Sequence, residues 1–227
     1  SLIEKPSQRN LVFTPEVLQP GNLAVRGAWI PGGVEWNLGV VGHGPFTCEP
    51  LFVSTFTHGD GTAGLRFQEW ERIRQVPFQM DIHLPTDSRH LLVTVTVQNP
   101  RAAAVPFYWW TNIAVPETRQ TRVVAPANEA FFLNYEDGQR TARLGPAPVV
   151  DGVDRSYPVN HPRASDTFFK VQGSPYPWQV AVDSEGWGLL HASTRRLKSR
   201  KLFCWGQGPG GHRWQQFLCP QSSDRYF

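Results

Sequence analysis

Residues 91–97 read Leu-Leu-Val-Thr-Val-Thr-Val, and the alternation in this stretch predicts a β-strand. Leu91 and the three valines point to one side of an extended chain, while Leu92 and the threonines point to the other. A turn signal precedes the stretch at residues 85–88, and Asn99-Pro100 ends it. Residues 107–115, FYWWTNIAV, are aromatic and β-branched and predict another strand. We expect these two strands to pair as a hairpin.

Short strands separated by turn signals recur along the rest of the chain. We expect a hairpin around Pro31-Gly32-Gly33, between strands at 22–30 and 34–38, and another around Gly59-Asp60-Gly61. The further predicted strands are 65–74, 131–135, 168–171, 178–182, 187–193 and 201–205, with an irregular excursion at 136–162 and one helical turn at 212–218. This pattern predicts an all-β chain, a large antiparallel β-sandwich that forms a single domain over residues 1–227.

Composition limits the classes of function. The 227 residues carry a net charge of +3, with acids and bases interspersed except in the basic run at 195–201, so the charge does not call for a nucleic-acid partner. We interpret that run as a solvated hairpin tip. No stretch is long and apolar enough for a membrane span, and the first residues lack the layout of a signal peptide, so the default location is cytoplasmic.

Cofactor and metal motifs are lacking in the sequence. Cys48, Cys204 and Cys219 include no close pair, and the seven histidines show no ligand spacing of the HExxH type, so no metal site is predicted. The loop at 206–211 has neither the lysine of a phosphate-binding loop nor the strand-to-helix context of a dinucleotide site. No cofactor is expected.

Four segments carry a resemblance to a known family: RGAWIPGGVEWNLGVVGHGPFTC (26–48), LRFQEWERIR (65–74), FYWWTNIAVPETRQTRVV (107–124) and RKLFCWGQGPGGHRWQQFL (200–218). They resemble a bacterial domain-of-unknown-function family that often precedes tetratricopeptide repeats. The family is similar to the galactose mutarotase-like supersandwich of aldose epimerases, polysaccharide lyases and glycoside hydrolases. The resemblance implies a concave, sugar-facing sheet and a covalently linked repeat region. Members usually extend beyond both ends of this chain, so we expect terminal strands to be missing.

Acidic residues and one histidine are the candidate catalytic groups. Glycoside hydrolysis needs two carboxyl groups about 5–5.5 Å apart for retention or 6.5–9.5 Å apart for inversion. Glu35 follows a hairpin turn, Glu117 ends an aromatic strand, and Glu71 shares a strand face with Glu69, where like charges would raise one pKa. Each could instead be a structural ion-pair partner, with Arg26 or Arg122 as partners for Glu69 and Glu71. In the epimerases a histidine is the acid and a late glutamate is the base, and no position here matches that glutamate.

His43 and the tryptophans complete the candidate site. His43 lies between glycines, which allow a ligand to approach closely, although such a histidine can also be only a turn residue. By alternation Trp109 faces the core, while Trp110 faces a cleft with Asn112. The predicted substrate-binding residues are Arg72, Trp110, Asn112, Trp205, Gln207 and Trp214.

Three functions stay open. The first is a carbohydrate-active domain that binds a sugar and hydrolyses or epimerises it. The second is a non-catalytic glycan-binding or assembly module. The third is a structural domain that serves adjoining helical repeats, and it predicts that Trp110 and Trp205 are buried without a cleft.

Overall fold

The computed structural model describes residues 1–18, 21, 29–39, 42–44, 46, 49–135, 141–171 and 173–219. Strands dominate these residues, and the prediction of an all-β chain is confirmed. The strands are β1 Ile3–Glu4, β2 Arg9–Asn10, β3 Val34–Leu38, β4 Phe52–Thr57, β5 Ala63–Glu71, β6 Val76–His83, β7 Leu92–Val97, β8 Trp109–Ile113, β9 Arg122–Val124, β10 Glu129–Asn134, β11 Arg143–Pro146, β12 Val149–Val150, β13 Val153–Asp154, β14 Ser165–Phe169, β15 Trp178–Val182, β16 Gly188–Ala192 and β17 Arg200–Cys204. The helix α1 spans Pro209–Leu218, and Pro158–Asn160 form a 3₁₀ turn.

The chain divides into two compact units. Unit 1 comprises Ser1–Pro20, Ile30–Val34 and Ile113–Phe227, and unit 2 comprises Gly21–Trp29 and Glu35–Asn112. The prediction that residues 1–227 form one domain stays a prediction. None of the helices in the described ranges is long and apolar enough to cross a membrane.

Unit 1 contains the antiparallel sheets β11-β10-β14-β17 and β16-β15-β9. Both contribute to one hydrophobic cluster: Val123 comes from β9, Ala130 from β10, Leu202 and Cys204 from β17, and Ala181 of β15 packs against them. Two sheets that share a core in this way are the arrangement of a sandwich. Cys204 and Cys219 are buried, and Cys48 lies outside the described residues.

Unit 2 contains the antiparallel sheet β4-β5-β6-β7 and the strand pair β3-β8. The hairpin around residues 59–61 is confirmed, because β4 pairs with β5. The hairpin predicted between 91–97 and 107–115 is wrong, because β7 pairs with β6 and β8 pairs with β3. Alternation determines which side chains share a face, but it is the same for any antiparallel partner and does not identify that partner.

Several local predictions differ from the structure. The strand predicted at 22–30 lies largely outside the described residues, and the 136–162 excursion contains the short strands β11, β12 and β13. The predicted helical turn is instead the ten-residue helix α1, which begins with Pro209. Proline is tolerated there because a backbone N–H in the first helical turn has no partner within the helix. The basic run is not uniformly solvated: Arg200 is buried and donates to the carbonyl oxygens of Leu197 and Ser199, at 3.1 and 2.7 Å.

Candidate functional site

Glu35 and His43 form an acid–imidazole pair in unit 2. The His43 Nδ1 lies 2.8 Å from Oε2 of Glu35 and 3.1 Å from Oε1. The Glu35 side chain is only 12% exposed and the His43 side chain 26% exposed. Because the carboxylate accepts from Nδ1, the neutral imidazole carries its proton there and its lone pair on Nε2. No described residue bonds Nε2, so this nitrogen is the one that can act on a ligand.

Two indoles flank the His43 ring. The ring centroid of Trp110 lies 5.3 Å from that of His43, and the centroid of Trp29 lies 5.7 Å from it. The Trp110 Nε1 donates to the carbonyl oxygen of Gly42 at 3.0 Å, which ties the His43 loop to β8. Both indoles are partly exposed, so their apolar surfaces border solvent beside a polar pair.

The pairing of β3 with β8 brings Asn112 to the same place. Trp110 and Asn112 are two positions apart on β8 and therefore share a face of the strand. The Asn112 Nδ2 donates to Oε2 of Glu35 at 3.4 Å. Trp110 and Asn112 thus both contact the Glu35–His43 pair, and their placement in a ligand-binding cleft stays a prediction.

Asn37 holds the loop that carries His43. It is fully buried on β3, and its Oδ1 accepts the backbone N–H of Gly44. A Cβ at position 44 would lie 3.2 Å from the Asn37 Oδ1, so a side chain there would push the Asn37 amide away. The sequence analysis identified neither Asn37 nor Trp29, although both flank candidate residues in the 26–48 segment.

Glu71 has a structural position. Its side chain is fully buried, and its carboxylate accepts the backbone N–H groups of Ile73 at 2.8 Å and Arg74 at 2.5 Å. The carboxylate therefore caps the turn between β5 and β6. Of the two arginines predicted as ion-pair partners, Arg122 pairs with Asp154, and Arg26 lies outside the described residues. Its predicted catalytic role is untested, and this burial gives a ligand no access to it.

Arg72 borders a separate groove of ≈ 310 Å³ in unit 2. Its side chain is 66% exposed, and Nη1 lies 3.8 Å from Oε2 of Glu49. Glu69 and Phe52 line the same groove. If Arg72 contacts a sugar as predicted, the contact is made in this groove and not beside the Glu35–His43 pair.

Glu117 and Gln207 form the second candidate pair, in unit 1. The Gln207 Nε2 donates to Oε1 of Glu117 at 2.6 Å, and Glu117 is 4% exposed. Burial raises the pKa of Glu117 to about 7, and the Gln207 hydrogen bond opposes that rise. Burial, with the negative charges of Glu117 and Asp166, holds the pKa of the neighbouring Cys204 thiol well above its usual value, so this thiol is a poor nucleophile.

A row of aromatic rings lies on the segment of the chain that carries Gln207. The rings of Trp205 and Trp214 lie 5.3 Å apart at 31°, and Phe203 packs edge-on against Trp205 at 4.9 Å. At the other end Phe217 packs edge-on against Trp214 at 6.0 Å. The loop between Trp205 and α1 is held by the Gln207 N–H, which donates to the carbonyl oxygen of His161 at 2.8 Å.

The predicted residues therefore occupy distinct places. In unit 2, His43 and Asn112 bond Glu35, and Trp110 packs beside His43. In unit 1, Gln207 bonds Glu117, and Trp205 packs against Trp214. Glu71 and Arg72 lie elsewhere in unit 2. Burial and pairing across strands decide this grouping. The linear sequence contains neither directly.

Comparison with known proteins places the chain in a family. All of residues 1–227 match the family described as Domain of unknown function (DUF5107). The chain belongs to this family. A solved structure, that of a TPR-domain containing protein from Parabacteroides distasonis, superposes with a TM-score of 0.81 at 19% sequence identity. The match covers 96% of this chain and 36% of that protein, so the DUF5107 chain spans about a third of the length of this structural neighbour.

Proposed function

We propose that this DUF5107 domain binds a carbohydrate at the cluster of Glu35, His43, Trp110 and Asn112. The observation that carries the proposal is the His43 imidazole, which is oriented by a largely buried carboxylate and flanked by two partly exposed indoles. A pyranose has apolar C–H faces that pack on an indole, and hydroxyl groups that require hydrogen-bond partners. This cluster offers both within one strand pair and its adjoining loop.

His43 is the proposed proton-transfer group. Its Nε2 can accept a proton from a sugar hydroxyl, or donate one after protonation, while Glu35 stabilises the imidazolium. Glu35 is already engaged by His43, so it is not a free second carboxylate for glycoside hydrolysis. The reaction we favour is therefore interconversion of sugar anomers: the neutral Nε2 of His43 takes the proton of the anomeric hydroxyl as the bond from C1 to the ring oxygen breaks, and the imidazolium then gives that proton to the ring oxygen. The galactose mutarotase-like architecture is part of this proposal.

A polarimetric assay tests the proposed chemistry. The domain should accelerate the interconversion of the anomers of at least one free hexose, and His43→Ala should abolish the acceleration. Glu35→Gln should lower the rate, because an amide oxygen is a weaker acceptor than a carboxylate for the N–H that orients the His43 ring. His90→Ala is the matched control, since His90 is exposed outside the cluster. An unchanged rate in His43→Ala would remove the proton-transfer role while leaving binding open.

The aromatic row of unit 1 provides a second contact surface for the same class of ligand. Trp205 and Trp214 are partly exposed, and Gln207 holds a carboxyl group that is half-protonated near pH 7. We propose that these residues bind a further sugar residue or a second glycan. Affinity for an oligosaccharide that falls in Trp214→Ala but not in Trp110→Ala would assign the ligand to this row.

A non-catalytic module attached to helical repeats is the alternative function. It is favoured by the structural neighbour, which is a TPR-domain containing protein longer than this chain. Against the purely structural form of this hypothesis, Trp110 and Trp205 are partly exposed rather than buried. If no sugar binds, and joining the domain to a repeat region raises the melting temperature of both, the assembly role replaces the carbohydrate role.

A further inference from the structure

We propose that His58, Asp60 and His83 of unit 2 form a binding site for a divalent transition-metal ion of the Zn²⁺ class. One potential ligand atom from each residue lies within 4.8 Å of the other two. Among the residues that the structure describes, this is the group of three or more histidine, cysteine or carboxylate side chains that could hold an ion. It is separate from the residues of the proposed sugar site.

Strand pairing brings the three residues together from distant positions in the sequence. His58 and Asp60 lie in the turn that joins β4 to β5, and His83 ends β6, which pairs with β5. Two strand spacings, about 9.5 Å, separate β4 from β6. The imidazole rings of His58 and His83 nevertheless stack 4.2 Å apart at 17°, and the β5 residue opposite His83 is Gly64.

The hairpin turn orients the Asp60 carboxylate. Its Oδ1 accepts the backbone N–H and the hydroxyl of Thr62, at 2.9 and 2.5 Å, and lies 3.2 Å from Nδ1 of His58. An aspartate carboxylate is ionised at neutral pH. An ionised oxygen beside an imidazole is the donor combination that zinc binds in proteins.

His83 adds an observation that is independent of the turn. It is 7% exposed, and its buried Nε2 has no hydrogen-bond partner among the described residues. A buried polar atom without a partner destabilises the fold, and an added ligand could remove that cost. Phe56 covers this histidine edge-on at 6.4 Å, and its ring crosses the space that a Cβ at Gly64 would fill.

The spacing suits a tetrahedral ion after small side-chain rotations. Zinc–nitrogen and zinc–oxygen bonds of about 2.0–2.2 Å place neighbouring ligand atoms roughly 3.3 Å apart. The 3.2 Å separation of His58 Nδ1 and Asp60 Oδ1 already meets this value. The side chains of His58 and Asp60 are 47% and 41% exposed, so both can rotate toward His83. Three protein ligands leave a coordination position for water or a substrate.

Binding of Zn²⁺ to the whole chain, produced without a polyhistidine tag, tests the site. Isothermal titration should show one equivalent of Zn²⁺, with affinity reduced at least about tenfold in His58→Ala and in Asp60→Asn. Both changed residues are in the exposed hairpin turn, so the variants should fold. His90→Ala, which removes another exposed histidine, should bind Zn²⁺ as the unmodified chain does.

Substitution of Co²⁺ for Zn²⁺ identifies the donors. The cobalt complex should show visible d–d absorption without the near-ultraviolet thiolate band that cysteine ligation would give. Zinc should also raise the melting temperature in proportion to its occupancy, and this rise should vanish in Asp60→Asn. Three results would each overturn the proposal: no stoichiometric binding of Zn²⁺, an affinity in His58→Ala and Asp60→Asn equal to that of the unmodified chain, or a thiolate band.

Discussion

Glu117 makes the stability of the protein depend on pH in a direction opposite to that of most carboxylates. Its pKa rises from 4.5 to about 7 on folding, chiefly because it is buried. Between these two values the folded chain keeps a proton that the unfolded chain releases, so stability falls as pH rises. The loss is complete above about pH 7. A rise of this size corresponds to roughly 3 kcal/mol.

The variant Glu117→Gln should remove this dependence. The amide is neutral at every pH, and its Oε1 can still accept the hydrogen bond from Gln207. We therefore expect the variant to be more stable than the unmodified chain by up to about 3 kcal/mol at pH 8, and to match it at pH 4.5. In a chain of this length the gain at pH 8 corresponds to roughly 6–12 °C in melting temperature.

Urea unfolding followed at several pH values measures this difference, provided that the m value is unchanged. Glu16→Gln is the control, because it removes a carboxyl group that is exposed in the same unit. If Glu117→Gln gains the same stability at pH 4.5 and at pH 8, the gain does not come from the ionisation of Glu117. A loss at pH 8 would refute the raised pKa.

Two further predictions concern the turn between β5 and β6. Glu71→Ala should lower the free energy of unfolding by about 3 kcal/mol, because the backbone N–H groups of Ile73 and Arg74 lose a charged acceptor. Urea unfolding would measure this loss directly. A loss below about 1 kcal/mol would mean that water replaces the carboxylate. Gly39→Ala should also destabilise by about 1–3 kcal/mol, since residue 39 has φ +92° and the new Cβ would meet the Glu71 carboxyl carbon at 2.5 Å. The control is Gly33→Ala, where φ is +67° but the Cβ meets nothing, so its melting temperature should fall less; equal losses would show that only backbone strain matters.

The sequence predicted strands better than it predicted their partners. Residues 178–182 form a strand with the predicted bounds, and burial alternates over residues 67–71, because side-chain period is a local property. The pairing of β3 with β8 depends on contacts between positions more than seventy residues apart in the chain. Nothing in the alternation at 107–115 distinguishes this partner from the adjacent strand at 91–97.

Candidate residues were easier to predict than their surroundings. His43 and Glu35 lie in one short segment, so their types and their turn context indicated them. The burial that raises the pKa of Glu117 comes from tertiary packing, which composition does not reveal. The His58, Asp60 and His83 cluster has no recognisable ligand spacing because strand pairing, and not sequence proximity, brings His83 to the turn.

Tryptophan fluorescence during titration with mono- and oligosaccharides tests the central claim most directly. Trp110 and Trp29 flank His43, so a sugar bound there should change their emission. We expect a saturable change with one class of sugar, lost in Trp110→Ala and kept in Trp187→Phe, which changes an indole in unit 1. No response to any sugar, or a response that survives in Trp110→Ala, would contradict the proposal that this cluster is the carbohydrate site.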